Sequence, residues 1–129
     1  MANGTLQIRV SSSIGDMPVS GASVRISDAL GNVVHTLYTD KNGLTMITLF
    51  APGRKKSFTP YSPLPAYSVY EIKVTYYGYV PQIIRGVSIF EGVNSLLPIE
   101  LEPRNEANYH SDIVNIIEIP PPSVSGRNY

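Results

Sequence analysis

Residues 18–43 read PVSGASVRISDALGNVVHTLYTDKNG and contain two alternating segments bounded by three turn signals. Apolar residues occupy every second position from Ala22 to Ile26, which is the period of a strand with one buried face. The turn at Asp28–Asn32 contains a glycine, and glycine supplies the positive φ that short hairpins require. The stretch therefore predicts a β-hairpin inside a small antiparallel sandwich, with Val33–Thr39 as its second strand.

The period of two continues through most of the chain, whereas helical periodicity is nearly absent. Leu6, Ile8 and Val10 predict a first strand with one buried face, and either Val33 or Val34 is expected to face inward in the third. The remaining predicted strands are 44–50, 67–76, a short edge piece at 82–85, 86–90 and 93–101. This pattern predicts an all-β fold, a seven- to eight-stranded antiparallel sandwich with an extended carboxy-terminal tail.

Composition limits the classes of function. The chain has 129 residues, no cysteine and a formal net charge of zero, so disulfides, thiolate metal sites and cysteine nucleophiles are excluded. A general nucleic-acid binder is not expected without a basic surface, and near-zero net charge favours self-association. No targeting segment or membrane span is recognisable, which predicts cytoplasmic synthesis, with the spore, cell wall or a released particle as open destinations.

A proline-rich segment and a group of tyrosines are the predicted working surface. Ala51–Ala66 contains four prolines and two aromatic residues, Phe58 and Tyr61, and is expected to be a long loop. Several of the nine tyrosines follow it closely in sequence, among them Tyr67, Tyr77 and Tyr79. Such a cluster fits a protein interface, a carbohydrate-stacking platform or ordinary packing within the sandwich.

The tail offers a second predicted interaction surface. We place a sandwich domain at 1–103 and assign 104–129 to a linker and a strand-like segment ended by prolines. This segment contains Ile113, Ile116, Ile117 and Ile119, and it has high β propensity. It can return to an edge of its own sheet or add to the edge of a neighbouring copy, and the sequence leaves both arrangements open.

Candidate catalytic and metal-binding groups all have simpler structural explanations. Asp40 resembles the start of a calcium loop, but no bidentate Glu follows at the required distance, so we expect it to cap its own turn. His35 and His110 have no neighbouring metal-ligand pattern, and no serine lies in a nucleophile elbow. We therefore predict no catalytic residue, no metal site, no cofactor and no enzymatic activity.

Three motifs resemble those of carboxypeptidase regulatory-like, or transthyretin-like, β-sandwich domains. They are Pro18–Val24, Thr39–Gly43 and the pair Gly78-Tyr79, which occur in the family's order between Thr5 and Leu101. The resemblance implies the fold and leaves the activity open. The hydroxyisourate hydrolase of this fold uses histidines and a carboxy-terminal motif that the ending SGRNY does not match, so its activity is not expected here.

A closer resemblance is to the amino-terminal domains of clostridial spore cortex-lytic enzymes and related Firmicute proteins. It is carried by residues 59–62, 65–70, 86–92 and 98–103, and by the hydrophobic stretch 113–122 that ends in prolines. In those enzymes a separate downstream domain cuts peptidoglycan, and this sequence contains no such domain. The resemblance therefore implies a noncatalytic accessory module of a spore-forming Firmicute or one of its phages.

The sequence predicts a noncatalytic binding or assembly module that acts through protein–protein contacts. Its partner is another protein or copies of itself, with no role for nucleic acid. The alternative is an accessory domain associated with peptidoglycan or another carbohydrate. The predicted interaction residues are Phe58, Tyr61, Tyr67, Tyr77, Tyr79, Ile113, Ile116, Ile117 and Ile119.

Overall fold

Two β-sheets make up the part of the chain that the computed structural model describes, residues 2–52, 67–105 and 114–121. In chain order the strands are β1 (Asn3–Ser12), β2 (Ser23–Ser27), β3 (Val33–Tyr38), β4 (Leu44–Phe50), β5 (Tyr67–Thr75), β6 (Gln82–Phe90), β7 (Asn94–Leu101) and β8 (Asn115–Glu118). One sheet has the order β4-β1-β7 and the other the order β3-β2-β5-β6-β8. The predicted all-β sandwich is confirmed. Within these ranges, no helix has the length and apolar character needed to cross a membrane.

The strand pairs are antiparallel with two exceptions among the described residues. β7 runs parallel to β1, and β8 runs parallel to β6. The chain changes sheet between β6 and β7 and again between β7 and β8, so each of these strands pairs with a strand that does not directly precede it in the sequence.

The core lies between the two sheets and is built from the alternating apolar positions. Leu6, Ile8 and Val10 of β1 are at most 1% exposed, and Val24 and Ile26 of β2 are fully buried. The inward-facing residues of β5, β6 and β7 complete the cluster; they are Tyr70, Ile72, Val74, Ile84, Val87, Ile89, Ile99 and Leu101. Strand periodicity therefore identified the buried face of β1 and β2 correctly.

Two details of the strands differ from the prediction. Neither Val33 nor Val34 faces the core, since they are 53% and 40% exposed on the edge strand β3, next to a register shift at Ile26/Ser27. Residues 82–85 are not an edge piece, because β6 continues through Gly86 to Phe90 and lies between β5 and β8. Gly86 has φ +83°, so the glycine that suggested a break instead permits a local irregularity within one strand.

The Thr39 hydroxyl joins the segment before β2 to the end of β3. It donates a hydrogen bond to the Val19 carbonyl at 2.6 Å and accepts one from the Ala22 amide at 2.9 Å, in a site where Thr39 is 5% exposed. The backbone adds two bonds, from the Gly21 amide to the Thr39 carbonyl and from the Thr39 amide to the Ala22 carbonyl. One side chain thus satisfies two buried backbone groups.

The turn at Asp40–Gly43 connects this junction to the other sheet. The Asp40 carboxylate accepts bonds from the Asn42 amide at 2.8 Å and the Leu44 amide at 3.0 Å, which is the predicted cap. The Gly43 carbonyl accepts the Val10 amide of β1 at 2.7 Å, and the Val10 carbonyl accepts the Val19 amide at 3.0 Å. Gly43 has φ +75°, and a Cβ there would overlap the Val10 carbonyl, so glycine is required.

β8 lies on the edge of β6 in the same chain. The Asn115 amide donates to the Pro81 carbonyl and the Ile119 amide to the Arg85 carbonyl, each at 2.9 Å. Arg85 also forms an exposed ion pair with Glu118, with 3.6 Å between nitrogen and oxygen. At Gly86, a Cβ would lie 2.5 Å from the Ile119 carbonyl oxygen, so the end of β8 can approach only a glycine. The tail strand that the sequence left open between two arrangements is therefore paired in cis.

Replacing Thr39 with valine should destabilise the fold far more than replacing it with serine. Valine removes the hydroxyl and leaves two buried backbone groups unpaired, so we expect the free energy of unfolding to fall by about 2–4 kcal/mol. Serine keeps the hydroxyl and loses one methyl group, which costs about 1 kcal/mol. Urea titration of both variants measures the difference. Equal losses would contradict the expectation, because they would show that the hydroxyl contributes no more to this junction than the methyl group does.

Gly86→Ala should release the end of β8, whereas Gly92→Ala should not. Both glycines have positive φ, +83° and +70°, but only at Gly86 does an added Cβ meet another atom within 4 Å. Backbone strain is therefore similar in the two variants, about 1–2 kcal/mol. We expect hydrogen exchange of the amides from 115 to 119 to accelerate in Gly86→Ala alone. Unchanged exchange there would mean that contact with Gly86 does not hold the tail strand.

Candidate functional site

A groove at the turn between β5 and β6 is the first candidate site. It has a volume of about 800 Å³ and is lined by side chains that include Ser23, Tyr76, Tyr77, Tyr79, Pro81 and Arg104. We call it the tyrosine groove. Three of its side chains are phenols, and the lining contains no Asp, Glu or His.

The turn that forms the groove is held by backbone hydrogen bonds. The Tyr79 amide donates to the Tyr76 carbonyl at 3.1 Å, which closes the turn. The chain that leaves β7 secures it from outside, because the Val80 amide donates to the Glu102 carbonyl and the Arg104 amide to the Gly78 carbonyl, each at 2.9 Å. The tyrosines are thus presented on a fixed backbone rather than on a free loop.

The three tyrosines of the groove have different environments. The rings of Tyr76 and Tyr79 lie 5.7 Å apart with their planes inclined by 51°, and Tyr79 packs against the core. Tyr76 is 40% exposed, whereas Tyr77 is 98% exposed. A tilted pair of rings next to a fully exposed third ring offers apolar faces and hydroxyl groups together, which suits a peptide or a sugar.

The structure brings together only some of the predicted tyrosines. Tyr77 and Tyr79 lie in the groove, but Tyr67 begins β5, and its ring packs against Phe90 at 5.4 Å. The nine residues of β5 separate Tyr67 from the groove by about 30 Å. Phe58 and Tyr61, and with them most of the proline-rich segment, lie outside the described residues.

The tail isoleucines are partly exposed on a strand that begins next to the groove. Ile116, Ile117 and Ile119 are 51%, 46% and 37% exposed, and Ile113 lies outside the described residues. β8 begins with the bond from Asn115 to the Pro81 carbonyl, and Pro81 also lines the groove. The strand that carries the predicted tail residues therefore begins beside the groove that contains Tyr77 and Tyr79, although these segments are distant in sequence.

Sequence reasoning missed Arg104, Pro81 and Ser23 as lining residues. Arg104 was assigned to the linker, and it reaches the groove only because β7 ends beside the β5–β6 turn. The register of β2 on β5 places Ser23 opposite Thr75, next to the tyrosines. Local sequence carries no signal for either placement, since both depend on strand pairings between distant segments.

A second cavity, of about 490 Å³, opens at the other end of the sheets. Its lining includes Asp28, Leu30, Val34, Phe50, Val69 and Tyr70. The Tyr70 hydroxyl donates to the Phe50 carbonyl at 2.8 Å. Burial, with a smaller contribution from the charge of Asp28, raises the pKa of Tyr70 above its ordinary value of 10.0. The phenol therefore stays protonated at neutral pH and acts as a structural donor. Sequence reasoning did not identify this cavity.

A metal centre has no support in the described residues, because no three His, Asp or Glu side chains in those ranges are placed to share an ion. The groove combines tyrosines, a serine and an arginine, whose ring faces and polar groups can contact a bound molecule.

Comparison with known proteins shows what the fold is similar to, but it does not show a function. No protein-family model and no curated protein matches the sequence. Among solved structures, the Bacillus anthracis TIE protein is similar over 80% of this chain and 17% of its own, with 17% identity and a TM-score of 0.56. The minor pilin GBS52 of Streptococcus agalactiae is similar over 85% of this chain and 48% of its own, with 16% identity and a TM-score of 0.56.

A shaft pilin shares the same architecture. SpaA from Lactobacillus rhamnosus GG is similar over 80% of this chain and 47% of its own, with 13% identity and a TM-score of 0.55. The chain thus spans less than half the length of each of these three proteins. At such low identity the likeness concerns the fold alone, and the specific link to clostridial cortex-lytic enzymes is not shown by it. The chain has a β-sandwich fold that is similar to the folds of these three solved structures.

Proposed function

We propose that this domain is a noncatalytic assembly module that acts through protein–protein contacts, with the tyrosine groove as its binding surface. The observation that carries the proposal is the exposure of Tyr77, which is 98% exposed on a turn that its own backbone bond and two bonds to the chain after β7 hold in place. A large aromatic ring on a fixed backbone gains buried apolar area on binding and loses little conformational entropy. Tyrosines in that situation are frequent anchors of protein interfaces.

The surroundings of Tyr77 support the same function. The ring pair of Tyr76 and Tyr79 is already packed, so a partner would meet a formed surface rather than one that must be ordered first. Partly exposed isoleucines of β8 lie further along the chain that bonds to Pro81, and they offer additional apolar side chains to a partner. Two of the similar structures are a minor pilin and a shaft pilin, and an assembly role for this chain is the proposal that this likeness suggests.

Binding to peptidoglycan or another carbohydrate is the second candidate function. The exposed faces of Tyr77 and Tyr76 are favourable for stacking on a sugar ring, and the groove beside them is open enough to admit one. This candidate predicts retention on purified peptidoglycan, which the first does not.

Photo-cross-linking distinguishes the two functions. A photoreactive p-benzoylphenylalanine in place of Tyr77, introduced in the cells that make the protein, should give a discrete protein adduct. The matched control carries the same group in place of Leu96, which is 63% exposed on β7. The unlabelled protein should compete for the partner and reduce adduct formation at position 77, whereas its Tyr77→Ala variant should not.

Two results would contradict the proposal. Equal labelling from positions 77 and 96 would mean that the groove binds no particular partner. Adducts to glycan alone, together with retention on purified peptidoglycan that Tyr77→Ala abolishes, would support the carbohydrate function instead.

A further inference from the structure

The edge strands of the two sheets differ in how they are protected against association. β7 contains Pro98 and Glu100, and β8 contains Glu118 and is followed by Ile119 and then three prolines. β3 and β4 contain no Asp, Glu, Lys, Arg or Pro. Prolines and charges on an edge strand normally prevent another chain from pairing with it. Within the described residues, two of the four edges therefore lack this protection.

β3 is the more accessible of these two strands. Five of its six residues are exposed, including Val33 at 53% and Tyr38 at 66%, whereas β4 alternates and buries Leu49. Among the residues that the structure describes, β3 pairs with β2 alone, so alternate residues present their N–H and C=O groups outward. The start of β3 also borders the second cavity, where Val34, Phe50 and Val69 form an apolar wall.

We propose that β3 is the surface through which two copies of this chain associate, by antiparallel pairing of β3 with β3. This inference rests on the proposed assembly function and deepens it by naming the partner as a second copy. Pairing would join the two five-stranded sheets into one continuous sheet, with β8 covering the far edge of each. It would also bury exposed β-branched and aromatic side chains on both faces.

Charge explains why a copy of the same chain fits this edge. In a two-fold pairing each residue approaches residues of the same strand, so a charged edge would repel itself. β3 is free of carboxylates, ammonium and guanidinium groups, and the whole chain has a formal net charge of zero. Neither local nor long-range repulsion therefore opposes self-association.

The length of β3 determines how strongly the two copies are expected to associate. Six residues make a contact smaller than the roughly 800 Å² per partner of a standard interface, so the dimer should be weak and depend on protein concentration. Association at raised local concentration, as on a surface or within a particle, would then be favoured over association in dilute solution.

Sedimentation equilibrium of the full chain over a range of concentrations tests the proposal with two matched variants. Thr36→Glu places a charge on β3, opposite Arg25 of β2, where its own fold tolerates it. Thr48→Glu places the same charge at an exposed position of β4, opposite Thr5 of β1. We expect dimerisation of the wild type and of Thr48→Glu, and at least about tenfold weaker dimerisation of Thr36→Glu. Equal urea midpoints would establish that the fold is intact.

Hydrogen exchange supplies an independent measurement. Amides of 33–38 should become more protected as the wild-type concentration rises, whereas amides of 44–50 should not change. Protection of β3 that is independent of concentration would mean that the same chain covers this edge, and it would overturn the proposal.

The remaining outcomes separate this inference from the proposed function. If the wild type stays monomeric, or if the Thr36→Glu variant dimerises normally, pairing through β3 is overturned. The cross-linking result at position 77 is independent of either outcome. Dimerisation that Thr36→Glu weakens, without any specific adduct from position 77, would support β3 and overturn the tyrosine groove.

Discussion

The Thr39 hydroxyl is the contact on which the rest of the structure depends. It satisfies the Val19 carbonyl and the Ala22 amide in a buried site, and so it fixes the start of β2 against the end of β3. The adjoining turn then binds β1 of the other sheet through Gly43 and Val10. The two sheets are therefore tied together at this junction, while the register of β2 on β5 places Ser23 beside the tyrosine groove.

The proposed surfaces lie on different parts of one sheet, and this arrangement bears on assembly. The tyrosine groove lies at one end of the sheet, where β2 begins and the chain turns from β5 to β6, and β8 occupies the edge beyond β6. β3 is the opposite edge strand and has neither proline nor charge. A module with a binding groove at one end of its sheet and a self-pairing edge strand can join a larger assembly and contact its own copies there.

Local patterns predicted much of this fold for physical reasons that are easy to identify. Alternation identified the buried faces of β1 and β2, because a strand between solvent and core must change environment at every residue. Asp40 was recognised as a cap because its bonds to Asn42 and Leu44 span only a few residues. The pattern failed at Val33 and Val34, where an edge strand leaves the core, and at Gly86, where one strand continues through a positive φ.

The sequence by itself determined which residues are apolar, where the chain turns and which strands have a buried face. Only the tertiary structure decided which strands are neighbours. It brought Tyr77 together with Arg104 and Pro81 in one groove, and it placed Tyr67 away from that groove, against Phe90. It also placed β8 on β6 of the same chain. Periodicity reports the face of a strand, whereas the neighbour of a strand depends on pairings between distant segments, and these are selected by the packing of the whole sandwich.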